Sequence, residues 1–275
     1  MKQLLVAGCG DIARRALPDL ERAFRVECLA RRLGRDLDRP ETLKLEGAHA
    51  LLHCAPPPAS GDTDTRTANL LTALAKASIL PGRIVYVSTS GVYGDCRGER
   101  VDESRPIAPR TPRARRRADA ERQLAAWCAG RGAKLVVLRA PGIYAADRLP
   151  LERLRAGRAA LRDEDDVYTS HIHADDLAAI VCRAFEDGVA EGVYNACDDT
   201  RMKMGDWLDL IADTAGLPRP PRVARAALTE RSDFMSESRR LDNRKLKREF
   251  RIHLRFPTVH EGLKHALPAG AHQSA

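Results

Sequence analysis

Aromatic side chains are scarce in this chain, about 4% of its 275 residues, so aliphatic residues must fill whatever core it builds. No stretch approaches the roughly 20 apolar residues of a membrane span, which argues against a membrane protein. Leu5-Val6-Ala7-Gly8-Cys9 has the look of a lipoprotein cleavage box, but only a few apolar residues precede it, and the segment reads as a strand. The seven cysteines (Cys9, Cys28, Cys54, Cys96, Cys128, Cys182, Cys197) contain no Cys-x-x-Cys pair and no His-Cys ligand spacing. They read as reduced core residues of a cytoplasmic protein, with no zinc site. His171 and His173 stand beside Asp175 and Asp176, and the expectation there is a strand-to-helix junction whose aspartates cap a helix from Leu177 onward, not a metal. Basic residues outnumber acids by 46 to 38. They are scattered, with no basic arm and no interleaved aromatics, so nucleic acid is not the expected partner, whereas attraction to anionic ligands is compatible with the surplus.

What is present is an alternation of short apolar runs with helical patterns. Lys2–Ala7 reads as a strand, Gly8 to Ala13 as a turn opening a helix through Ala23, and Arg25–Ala30 as a second strand. Further strands are expected at 48–55, closed by Pro56-Pro57-Pro58, and at 84–87, 135–138 and 193–196, with helices at 69–77, 118–129 and 176–185. Strands alternating with helices imply an α/β fold, a Rossmann-like doubly wound parallel sheet. After residue 200 the texture changes to one amphipathic helix at 204–215, a proline-rich link and a polar stretch at 242–246, then a closing helix from about Thr258. The expected organisation is a Rossmann domain formed by 1–144 and 171–199, a smaller, mostly helical lobe formed by 145–170 and 200–267, and a disordered tail at 268–275.

Gly8-x-Gly10-x-x-Ala13 follows a strand and opens a helix, the context in which this pattern carries meaning. Gly8 permits the tight turn, Gly10 lets the backbone approach a pyrophosphate, and Ala13 keeps helix and strand close. Amides of Asp11 and Ile12 then face the negative charge at the helix amino end. The second strand ends Cys28-Leu29-Ala30-Arg31-Arg32, with no acid at its tip to hold a ribose 2′-hydroxyl. Arg31 and Arg32 there favour the 2′-phosphate of NADP over NAD.

Arg83 to Asp95 reads as a buried strand ending in the hydroxyl-rich turn Ser88-Thr89-Ser90-Gly91-Val92-Tyr93-Gly94. With Leu52-His53-Cys54-Ala55, Asp102-Glu103, Leu138-Arg139-Ala140-Pro141-Gly142-Ile143-Tyr144 and Ile172-His173-Ala174-Asp175-Asp176-Leu177, it appears in the order that resembles the extended short-chain dehydrogenases/reductases, specifically the NAD-dependent epimerase/dehydratase family. The triple proline, Asp242-Asn243-Arg244 and Phe256-Pro257-Thr258 are similar to its atypical YeeZ-like branch. The resemblance implies that Thr89 is the catalytic hydroxyl, holding a substrate oxygen. It implies cofactor contacts at Cys54, Ala55, Pro56 and Ser88, and nicotinamide-side contacts at Pro141 and Ile143. Asp36-Leu37 stands for the pair that flanks the adenine. The segment before that pair is too short for the usual helix and third strand, so the adenine side is expected to be truncated.

Counting back from Glu121, the family's Tyr-x-x-x-Lys falls on Arg113 and Arg117. Arginine is not deprotonated in proteins, so Arg113 cannot act as general acid/base. Arg117 could still donate to the cofactor ribose. Ser90 and Gly91 stand where dehydratases of the family carry paired acids, which argues against sugar dehydration. Tyr93, Asp95, Asp102 and Tyr144 lie near enough to be weighed as substitute bases, each with an ordinary packing or loop role. Two functions follow. One is an NAD(P)-dependent oxidoreductase or epimerase acting on a small anionic substrate, a sugar nucleotide or other carbonyl compound. The other is a catalytically silent dinucleotide-binding sensor or partner-binding protein. Either could be a monomer or a homodimer; the arginines of 113–117 would repel a like helix.

Overall fold

The computed structural model describes residues 1–228 and 236–267; the tail expected at 268–275 lies outside them. Six parallel strands form one sheet: β1 (Lys2–Ala7), β2 (Phe24–Leu29), β3 (Ala50–His53), β4 (Arg83–Thr89), β5 (Lys134–Ala140) and β6 (Gly192–Asn195). Their spatial order is β6-β5-β4-β3-β1-β2. Central strands such as β3 and β4 are buried almost end to end, which is why they read as continuous apolar runs and not as alternating ones. Helices α1 (Asp11–Ala23) and α5 (Ala174–Arg183) pack together on one face, and α2 (Thr65–Leu74) and α3 (Pro112–Ala129) on the other. This is the Rossmann-like α/β fold.

β2 is an edge strand. Where a longer chain would add a helix and another strand outside β2, this one makes two short 3-10 turns, Arg31–Leu33 and Pro40–Thr42, and returns to β3 on the other side of β1. The change of direction at β1 leaves its carboxyl end, with that of β3, at the topological switch point where such sheets bind ligands.

A third cluster of buried side chains lies apart from the two sheet layers. It joins Tyr144 and Leu154, the latter on the short helix α4 (Leu151–Arg155), to Trp207 and Ile211 of α6 (Met204–Thr214) and to Val259 and Leu263 of α8 (Val259–Ala266). The stretch from Asp242 onward is not merely polar. Arg244–Phe250 forms a helix, α7, whose Leu246 and Phe250 enter the sheet's own core.

Two boundaries differ from the sequence reading for identifiable reasons. α3 starts at Pro112, six residues before 118. Thr111 Oγ1 accepts from the Ala114 amide at 3.1 Å, Pro112 stands at the first helical position, and arginine is a good helix former despite its polarity. α5 starts at Ala174, and its cap is His173, whose Nδ1 accepts from the Asp175 amide at 3.2 Å. The aspartates are therefore not caps. Asp175 pairs with Arg15, and the Asp176 carboxylate accepts from the amides of Arg255 and Phe256 at 2.7 and 2.9 Å, fastening the C-terminal segment to the sheet.

α3 is fixed against the sheet by a buried polar cluster. Glu121 pairs with Arg139 of β5 at 2.7 Å and accepts from the Ser88 hydroxyl of β4, while the Arg139 guanidinium lies 4.7 Å from the ring centre of Tyr93. Both charged residues are less than one-tenth exposed. Truncating one partner of such a pair leaves the other charge buried and alone, at about 3–5 kcal/mol. Glu121→Ala is thus expected to lower unfolding free energy in urea by about that amount; a loss of about 0–1 kcal/mol, as for an exposed pair, would contradict the arrangement.

Candidate active site

The crevice at the switch point is built from the glycine turn. Gly8 has φ +90°, and a Cβ there would collide with the backbone of Ala55. Both features demand glycine. The amides of Cys54 and Ala55 donate to the Ala7 carbonyl at 2.8 and 2.9 Å, binding the post-β3 segment to the turn. Gly10 precedes α1, and nothing among the described residues lies within 4 Å of where its Cβ would be, so the backbone is open at the helix's positive end. Asp11, the first residue of α1, pairs with Arg15 and with Arg148 at 2.9 Å each. Burial alone would raise its carboxyl, but the two guanidinium groups hold it below the usual carboxylate range.

The structure joins Cys9 of this turn to Cys28 of β2 as a disulfide, with Cα atoms 6.1 Å apart. This corrects the expectation that all seven cysteines are reduced; the other five are free. Nineteen residues separate the pair, so only the parallel pairing of β1 with β2 brings them together.

At the tip of β2, Arg31 and Arg32 are exposed on the first 3-10 turn. Glu27, the acid within the strand, is occupied by the Gln3 amide at 2.8 Å and by Arg35. Asp36 and Leu37 sit in the returning loop. The Asp36 carboxylate accepts from the Asp38 amide at 3.0 Å and Leu37 is buried against the sheet.

β4 delivers Thr89 to the crevice. Its Oγ1 accepts from the Gly91 amide at 3.2 Å, which leaves the hydroxyl proton to donate outward. Ser88, one residue earlier, points the other way onto Glu121. Arg117 is buried beneath the crevice and donates from Nη1 to the Ala55 carbonyl at 3.2 Å, the Tyr86 hydroxyl at 3.0 Å and the Val87 carbonyl at 3.0 Å. It joins the ends of β3 and β4. Arg113, one helical turn earlier, is exposed and lines a cavity of about 490 Å³ shared with Thr89, Pro141 and Ile143. Tyr93 and Tyr144, weighed as substitute bases, are buried. Tyr93 donates to Asn195 Oδ1 at 2.9 Å, and burial pushes its hydroxyl up to about 12. Asp95 accepts from the amides of Arg97 and Ser238, and Asp102 from Ser104.

The far side of the cavity comes from residues that carry no motif. Tyr168, Trp207, Glu237 and Arg239 line it together with His171. Arg239 donates to the Gly94 carbonyl at 2.8 Å and pairs with Glu237 at 2.6 Å. His171 lies with its ring centre 4.3 Å from that of Trp207. Burial drives its pKa down to about 3, so the imidazole is neutral. Only the parallel pairing of 171–173 with 142–144 places it here, a contact between segments with no local signal.

Residues 62–197 match the NAD dependent epimerase/dehydratase family. The chain belongs to that family. It is 29% identical to GDP-6-deoxy-D-mannose reductase of Pseudomonas aeruginosa over 168 residues, 54% of each protein, so it spans about half the length of this curated relative. Over 97% of its length it superposes on a functionally unknown conserved protein from Silicibacter pomeroyi DSS, with 28% identity, TM-score 0.75 and 98% of that chain covered. RMD from Pseudomonas aeruginosa, complexed with NADPH, shares the fold with TM-score 0.76 at 21% identity, over 97% of this chain and 98% of that one. No helix among the described residues is long and apolar enough to cross a membrane.

Asp198, just after β6, is buried, and its Oδ2 has no partner among the described residues. Burial pushes its carboxyl up to about 8 from 3.8, against the lowering effect of the Thr200 amide. A folded-state pKa raised this way contributes stability that is fully present below about 3.8 and lost as pH rises through about 8. Asp198→Asn stays neutral and keeps the Oδ1 acceptor. Its thermal stability relative to the native protein should therefore rise from pH 5 to about pH 8 and then level off in a melting series; a difference that is flat or falls over that range would contradict the buried acid.

Proposed function

We propose that the protein is an NADP(H)-preferring oxidoreductase or epimerase that acts on the carbonyl or carbinol carbon of an anionic substrate of the sugar-nucleotide kind. The observation that carries this reading is the cavity shared by Thr89, Pro141 and Ile143 in a fold that also has an open glycine turn; it supports Thr89 as a hydroxyl donor near the nicotinamide end of a dinucleotide. Members of the family bind NAD(P), the curated relative is named as a GDP-sugar reductase, and a fold neighbour holds NADPH.

When bound, the dinucleotide supplies or accepts the hydride. The chain's own residues do the rest. Gly8 and Gly10 let the backbone approach the pyrophosphate, with the amides of Asp11 and Ile12 facing it. Arg148, over Asp11, offsets the acid at that helix end. Arg31 and Arg32 face a 2′-phosphate, and Asp36 and Leu37 border a reduced adenine side. Cys54, Ala55 and Pro56 floor the crevice, and Arg117 braces the Ala55 and Val87 carbonyls beneath the ribose. Thr89 donates its hydroxyl proton in a hydrogen bond to the substrate oxygen. Arg113 supplies positive charge where the family's tyrosine supplies a proton, so proton transfer falls to water or to the substrate itself. That substitution also supports the second reading, a dinucleotide sensor without turnover.

The test is calorimetric titration with NADPH and NADH separately. Saturable binding is expected, tighter for NADPH, and Arg31→Ala/Arg32→Ala should remove most of the preference. A charge-assisted contact of about 1.5–3 kcal/mol corresponds to roughly 10- to 100-fold in affinity. If neither nucleotide binds, both readings fall.

A further inference from the structure

We infer that Arg66 is a specificity-determining residue of the dinucleotide crevice: by holding the Asp38 carboxylate it keeps that acid from engaging Arg31, and so preserves the positive tip of β2 for a 2′-phosphate. This rests on the reading of the crevice as a dinucleotide site. It assigns the choice between NADP and NAD to an ion pair that belongs to no motif.

The geometry carries it. Between β2 and β3 the chain makes two 3-10 turns and no strand. Arg31 and Arg32 stand on the first turn, and Asp38 lies just before the second. Arg66 of α2 reaches across to this loop. Its Nε and Nη2 donate to Asp38 Oδ1 and Oδ2 at 2.8 and 2.6 Å, a two-pronged grip that matches the planar carboxylate. Its Nη1 donates to the Pro56 and Pro57 carbonyls at 3.0 and 3.2 Å. One guanidinium therefore fastens the loop after β2 to the segment after β3, the two walls between which the adenosine end of a dinucleotide would lie.

Charge supplies the consequence. In folds of this kind an acid near the tip of the second strand suits the ribose 2′-hydroxyl of NAD, whereas an arginine there accommodates the 2′-phosphate of NADP. The Asp38 side chain is 41% exposed, so burial does not take it out of play. The hydrogen bonds from Arg66 hold its carboxyl below the usual carboxylate range, and the charge of Arg31 acts on it in the same direction. Arg31 thus lies within electrostatic reach of Asp38. While Arg66 matches the carboxylate, Arg31 stays available to a phosphate. Without Arg66, Asp38 draws on Arg31 and repels the phosphate as well. The other acids of the loop are engaged elsewhere: Glu27 is held by Gln3 and Arg35, and Asp36 accepts from the Asp38 amide.

Calorimetric titration of the protein with NADPH and with NADH at low ionic strength tests this through the ratio of the two affinities. Arg66→Ala is expected to weaken NADPH about fivefold to tenfold and NADH less than about threefold, since exposed charges act most strongly in little salt. Removing the acid as well, in Asp38→Asn/Arg66→Ala, should bring the ratio back to within about threefold of the native value, because the two effects are coupled. Arg66→Lys keeps the charge but not the planar fork, and should hold the ratio within about the same range. Equal weakening of both nucleotides by Arg66→Ala would mark the residue as a brace and overturn the inference. So would an unchanged ratio in Arg66→Ala, or a ratio that stays low in the double variant. Each of those outcomes leaves the cofactor reading standing; if the native protein binds neither nucleotide, that reading falls and takes the inference with it.

Discussion

The buried Glu121–Arg139 pair is the constraint on which the site depends. It ties α3 to β5, and through Ser88 to β4, so the rotation and height of the helix are fixed relative to the strand that carries Thr89. Ionic pairs in the interior contribute little net stability compared with apolar packing, but their geometry is demanding. Here that geometry sets which side chains of α3 face the crevice. Counting back from Glu121, Arg117 falls beneath the strand ends and Arg113 into the cavity. Arg113 and Arg117, the residues to which the proposed function gives the charge of the site, are thus held in place.

That chemistry is electrostatic. Arg117 donates to the Ala55 and Val87 carbonyls and the Tyr86 hydroxyl, and its charge, after burial itself, helps keep His53 neutral, with a pKa down to about 3. It holds two strand ends together at the point where a ligand would lie. Arg113, permanently charged, lines the same cavity as Thr89, whose Oγ1 accepts from the Gly91 amide. In the proposed function the site stabilises negative charge on a substrate more than it passes a proton to it.

Much of the fold was legible because its signals are local. β1 and α1 come out at Lys2–Ala7 and Asp11–Ala23 as the glycine turn implies, and the short segment between Ala30 and His49 correctly foretells the missing strand, since β2 is left at the edge. What was hidden depends on pairing across distance. Cys9 meets Cys28 only because β1 and β2 run side by side. His171 enters the cavity because its short strand pairs with 142–144, and Glu237 and Arg239 reach it from a segment with no regular pattern. The arginines of 113–117 lie on a helix as expected, but that helix starts at Pro112 and not at 118, because the Thr111-Pro112 start signal precedes them. Asp175 and Asp176 look like caps in sequence, yet a histidine before them takes that role and frees Asp176 to hold Arg255 and Phe256.

β2 ends the sheet with no strand outside it, so in the proposed function dinucleotide recognition concentrates on the diphosphate, the charged tip of β2 and the nicotinamide end. A crystal structure of the protein grown with NADPH tests this account most directly. The account predicts the diphosphate on the Gly10–Ile12 backbone, the 2′-phosphate near Arg31 and Arg32, and the nicotinamide between Thr89 and Pro141 with Arg117 still beneath it. Nucleotide bound elsewhere on the molecule, or a crevice left empty at saturating concentration, would contradict it.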